Sequence, residues 1–94
     1  MLRGIKTNYF FFKAYSQVKK GDIDRSIEYF NRVIAADQTF SGAYLHKALA
    51  LSKLKKYEEG IDEINKAISL EPHNPAFPLF LGIIQHDTKN YYDT

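Results

Sequence analysis

The sequence predicts an all-α solenoid of short antiparallel helix pairs, about five helices in a single domain, and three observations carry that prediction. Turn-forming residues cut the chain at Gly21-Asp22, within residues 37–42, at Lys55-Lys56 and across Glu71-Pro72-His73-Asn74-Pro75. The segments between them run about 12 to 15 residues, too long for strands and suited to short helices. None alternates with period two, whereas Ile27, Phe30, Val33 and Ile34, and again Ile61, Ile64, Ala67 and Ile68, recur at the spacing of one helical face. Finally, the sequence superimposes on itself after a shift of 34 residues. Ala14 falls on Ala48 and Gly82, Ile23 on Tyr57 and Tyr91, Ser26 on Gly60, Phe30 on Ile64, and Val33 on Ala67.

Each segment has its own reason to be helical. The first is apolar on nearly every side through Tyr9, Phe10, Phe11, Phe12 and Tyr15, and Gly21 can take the left-handed conformation that ends it. The second carries the Ile27 stripe. Ser41 is placed to cap the third. The fourth opens with Glu58 and Glu59, favourable against the helix dipole, and sets Asp62 and Glu63 on an outer face within reach of Lys66. Asn74 can cap the fifth, with Pro75 in its first turn, where a missing N–H goes unnoticed. Small residues at fixed places let helices approach while bulky ones fill the groove between them, so one hairpin can stack on the next.

The middle copy, residues 41–74, resembles a tetratricopeptide (TPR) repeat through Tyr44, Ala48, Leu51, Tyr57, Gly60, Ile64, Ala67 and Pro72. The first copy, residues 7–40, keeps Phe10, Ala14, Gly21, Ser26, Phe30 and Val33 but has Gln17 and Gln38 where that family usually has a large apolar residue and Pro. The partial third copy, residues 75–94, keeps Leu81, Gly82 and Tyr91, departs at Pro78 and Gln85, and stops before a second helix could form. The resemblance implies a TPR-like right-handed α-solenoid over residues 1–94. It also implies a noncatalytic protein-interaction module, with a concave face presented by the first helix of each repeat.

Composition supports that direction by exclusion. There is no Cys, which removes disulfides, thiolate-bound metals and thiol catalysis. His46, His73 and His86 lie on different segments and announce no metal site, and no phosphate loop or nucleophile elbow is present; no cofactor and no enzymatic activity are expected. The formal net charge of +2 does not make nucleic acid a default partner, although Arg3, Lys6, Lys13, Lys19 and Lys20 crowd the first twenty residues without an acid. No apolar run reaches a membrane span or a secretion signal, so a cytoplasmic location is the default expectation.

On the concave face implied by the resemblance, the candidate groove residues are Phe11, Phe12, Tyr15, Leu45, His46, Leu49, Leu79, Phe80 and Ile83. Such a face suits a protein or peptide partner with an apolar or amphipathic segment. TPR modules that grip acidic chaperone tails clamp two carboxylates with Lys, Asn and Arg; the corresponding places here hold Phe11, Tyr15, His46, Ala76 and Phe80, so no binding of such tails is expected. An alternative reading is a homo-oligomeric, self-associating scaffold, or a piece of a longer array, in which Leu81 and Ile84 are left bare by the missing helix and covered by another copy.

Overall fold

A computed structural model describes the chain from residue 2 to residue 93, and its side chains from residue 6 to residue 92. Five helices follow one another: α1 (Leu2–Lys20), α2 (Ile23–Ala36), α3 (Ser41–Lys53), α4 (Tyr57–Leu70) and α5 (Ala76–Asp93). α1 packs on α2 and α3 on α4 as antiparallel pairs, while α2 meets α3 and α4 meets α5, so that the pairs stack. The Cα trace measures 47 × 32 × 16 Å, a slab two helices deep.

The turns inside the two pairs are built alike from unlike residues. After α1 the Gly21 amide donates to the Val18 carbonyl at 3.0 Å and the Asp22 amide to the Gln17 carbonyl at 2.9 Å. After α3 the Lys55 amide donates to Ser52 at 3.0 Å and the Lys56 amide to Leu51 at 2.9 Å. Both are Schellman closures, which need a left-handed residue at the crossing point. Gly21 supplies it at φ 84°, whereas Lys55, 34 positions later, supplies it at φ 65° despite its Cβ.

Two capping expectations resolve differently. The Asn74 side chain accepts from the Ala76 amide at 3.0 Å and so holds the start of α5, with Pro75 immediately before the helix. Ser41 is instead the first helical residue of α3, the cap position falling to Phe40. Its hydroxyl donates to the Glu71 carboxylate beyond the end of α4, tying the two ends of the second pair together.

The core follows the register of the repeat. α3 has two buried faces: Tyr44, Ala48 and Leu51 toward α4, and Ala43 and Ala50 toward the preceding pair. The first contact is close, because a Cβ at Gly60 would lie 3.1 Å from the Ala48 carbonyl oxygen. α5 keeps only the second face. Phe77 and Ile84 pack with Ile64 and Ala67 of α4, while Pro78, Gly82 and Gln85, which share register with Tyr44, Ala48 and Leu51, are exposed. The expected bare patch at Leu81 and Ile84 is therefore corrected: Ile84 is 1% exposed and Leu81 is half-buried at the edge of the same cluster. The patch sits elsewhere because α5 turns its apolar stripe to α4, the helix that is present.

α5 also runs unbroken through Lys89, the register position at which the earlier pairs turn back, and Tyr91 packs its ring 5.5 Å from that of Tyr57. Glu63 is likewise not on an outer face. It is buried, and its Oε1 accepts from Lys47 of α3 at 3.3 Å and from Lys66 at 3.2 Å, pinning α4 to α3 through a shielded ion pair.

Candidate peptide-binding groove

The faces of α1, α3 and α5 that are packed neither on their own partner helix nor on the preceding pair line up with the repeat. Phe11, Leu45 and Leu79 form one row at 34-residue spacing, and Tyr15, Leu49 and Ile83 form the next. Phe11, Leu45 and Leu49 are half-buried, whereas Tyr15, Leu79 and Ile83 are 47%, 66% and 47% exposed. Two apolar rows thus cross all three helices, deepest at α3. A third row, Lys19, Lys53 and Asp87, borders them and changes sign along the array. Beside Lys53 and Asp87 lies a cleft of about 450 Å³, also lined by Ser52, Lys55, Tyr57, Asn90 and Tyr91.

Phe12, His46 and Phe80 stand on a neighbouring row that faces the preceding helix pair. His46 stacks on Phe30 at 5.9 Å and meets the Phe11 ring edge-on at 5.3 Å, and Phe80 packs against the core. Burial lowers the His46 pKa by penalising its charged form, which keeps the ring neutral near pH 7. Phe12 has no pair before it among the described residues and is 70% exposed. Phe11 does both jobs, because its inner edge contacts Phe30 and Phe40, the latter at 5.3 Å.

The row Lys19, Lys53 and Asp87, together with Asn90 and Tyr91 at the cleft, was reachable in the sequence only in part. Shifting Lys53 by 34 gives Asp87, but Asn90 and Tyr91 join the cleft because α5 continues where its register predecessors turn. Among the described residues no three His, Cys, Asp or Glu side chains converge on a metal position, and no helix is long and apolar enough to cross a membrane.

The tetratricopeptide repeat family matches residues 7–40 and 41–74. An uncharacterized protein of Methanocaldococcus jannaschii is 34% identical over 68 residues, covering 72% of this chain and 79% of that one. Among solved structures, the first TPR domain of Spaghetti (RPAP3), bound to the HSP90 peptide SRMEEVD, superimposes with a TM-score of 0.79 at 20% identity over 85% of this chain; this chain spans 64% of its length. The second TPR domain of the same protein, bound to the same peptide, gives 0.72 at 24% identity, covering 97% of this chain and 93% of that one. These structures share the right-handed stack of helix pairs. The two matched repeats account for more than half of the residues, and the chain belongs to the tetratricopeptide repeat family.

Proposed function

We propose that this protein is a noncatalytic interaction module of the cytoplasm that takes an apolar or amphipathic segment of a partner protein into its concave groove. The observation that carries the reading is the pair of apolar rows, half-buried at Leu45 and Leu49 of α3 and open to solvent at Tyr15 of α1 and at Leu79 and Ile83 of α5. Open apolar patches of this kind on a folded chain mark interaction surfaces, and an amphipathic helix or extended segment with anchors at regular spacing fits parallel rows. The bordering Lys19, Lys53 and Asp87 favour a partner with acid opposite the first two helices and a base opposite the third.

The RPAP3 domains of the same fold are bound to the HSP90 peptide SRMEEVD, which ends in acidic residues. In this chain the clamp places carry Phe11, Tyr15, His46, Ala76 and Phe80, and the neutral, half-buried His46 is no substitute for a cation. An apolar ligand is the better match. Self-association through α5 has less support, since Ile84, its proposed anchor, is spent on the core.

The test is affinity capture with the wild-type chain and with Leu79→Asp/Ile83→Asp, two exposed positions whose change leaves the core intact, alongside Leu45→Asp/Leu49→Asp at the deeper end. The wild type is expected to retain proteins that both variants lose while circular dichroism stays helical, and a peptide ending Glu-Glu-Val-Asp is expected to give no heat in calorimetry. Identical proteins on all three baits, or micromolar binding of that peptide, would overturn the reading.

A further inference from the structure

The outer face of α1 lies away from the groove and has a different chemistry. It presents Tyr9 at 55% and Phe12 at 70% exposure, with the half-buried Ser16 one turn further along. Lys6, Lys13 and Lys20, seven residues apart, form a basic stripe along one edge of this face, and the Lys13 ammonium sits 5.8 Å over the Tyr9 ring. α1 contains no acid in its 19 residues, and Arg32 of α2 adds a cation 5.6 Å from Phe10 at the margin. The Arg3 side chain lies outside the described residues.

The repeat says what shape fits here. Tyr9, Phe12 and Ser16 share register with Ala43, His46 and Ala50 of α3 and with Phe77, Phe80 and Ile84 of α5. In both of those helices these positions are covered by the second helix of the preceding pair: α2 lies on α3, and α4 lies on α5 with Ile64 and Ala67 against Phe77 and Ile84. The surface on α1 is therefore shaped for an α-helix laid along it, a narrower target than a membrane plane. The charge says which helix. An acid-free helix edged by lysines repels a basic segment and attracts an acidic one. α4 itself illustrates the occupant, an amphipathic helix with Glu58, Glu59 and Asp62 exposed whose Ile64 and Ala67 pack on the equivalent row of α5.

We propose that the outer face of α1 is a second docking surface, distinct from the groove, that binds an acidic amphipathic helix of another protein by seating its apolar stripe on Tyr9 and Phe12 and its acids along Lys6, Lys13 and Lys20. This surface does not depend on the groove reading, and its ligand is a helix rather than a free carboxylate tail.

The probe is a capped synthetic peptide of residues 57–70, titrated into the isotope-labelled full chain and followed by amide shifts. Expected are shifts along α1, weakening as salt is raised, and a loss of affinity of about tenfold or more in Tyr9→Asp/Phe12→Asp and in Lys13→Glu/Lys20→Glu, as for removal of interface anchors. Leu79→Asp/Ile83→Asp is expected to bind this peptide normally, which separates the surface from the groove. The inference is overturned by shifts centred on Gly82 and Gln85 that ignore the α1 variants, or by no binding. It is overturned equally by binding to anionic vesicles that those variants abolish, or by a concentration-dependent dimer that Phe12→Asp breaks.

Discussion

α3 and α5 are the same helix of the repeat in two surroundings. Their registers coincide residue by residue, yet α3 is enclosed between α2 and α4 while α5, among the described residues, packs chiefly on α4. Ala43 and Ala50 of α3 and Phe77 and Ile84 of α5 are buried alike. Tyr44, Ala48 and Leu51 are buried as well, but their counterparts Pro78, Gly82 and Gln85 face solvent. The repeat thus fixes which face points where, and the presence of a neighbouring helix fixes which face is core. Residue type has followed the surroundings: the face of α5 that packs on no described helix carries a proline, a glycine and a glutamine, and is not an apolar patch.

The largest effect that tests this contrast lies on the shared face. Ile84→Ala removes a fully buried side chain and is expected to cost about 2 to 5 kcal/mol, read as a lowered midpoint in urea unfolding. Gln85→Ala, one residue on, is expected to change stability by no more than roughly 0.5 kcal/mol, as exposed substitutions do. Equal losses at the two sites would mean that α5 docks by a different face.

How much of this was legible in the sequence follows from the same positions. The helices and their order were readable because a 34-residue shift aligns small with small and bulky with bulky, and packing demands that regularity. The side on which α5 docks was misread at Ile84, although the signal was present: the pairs Ala43/Phe77 and Ala50/Ile84 are apolar in both copies, whereas Pro78 and Gln85 break the apolar pattern. The Ser41–Glu71 bond and the Glu63–Lys47 pair join residues distant in sequence, so no local pattern announces them. Of the candidate groove, the rows through Phe11 and Tyr15 were readable by period. The separation of Phe12, His46 and Phe80 onto another face needed the helix rotation that only packing sets.

A second, smaller contrast compares one substitution at two equivalent positions. Ala48 is fully buried, and its carbonyl lies where α4 comes closest at Gly60, so Ala48→Leu has no room to expand and is expected to lose about 1 to 3 kcal/mol. Nothing lies within 4 Å of a Cβ built at Gly82. Gly82→Leu is accordingly expected to gain up to about 1 kcal/mol by replacing glycine inside a helix. Thermal unfolding of the two variants beside the wild type checks both signs. A loss at Gly82 would show that something already covers the open face in solution.

The smallest expected effect concerns the turn that α3 makes and α5 does not. Lys55 and Lys89 occupy the same register position, but Lys55 is left-handed at φ 65° while Lys89 is inside a continuing helix. A non-glycine residue in the left-handed region is strained by its Cβ, and glycine relieves that strain while losing more chain entropy on folding. Lys55→Gly is therefore expected to stabilise by about 0.5 to 1 kcal/mol, since the closing bonds from Lys55 and Lys56 to Ser52 and Leu51 use only backbone atoms. Lys89→Gly places the same residue where helical backbone must be ordered and is expected to destabilise by up to about 1 kcal/mol. Opposite signs from one substitution at two equivalent positions, measured by chemical denaturation, would establish that the chain reverses after α3 and runs on after α5. A gain at both would mean that α5 turns back at Lys89 as α3 does at Lys55, in which case Tyr91 would begin a further helix and could not keep its place against Tyr57.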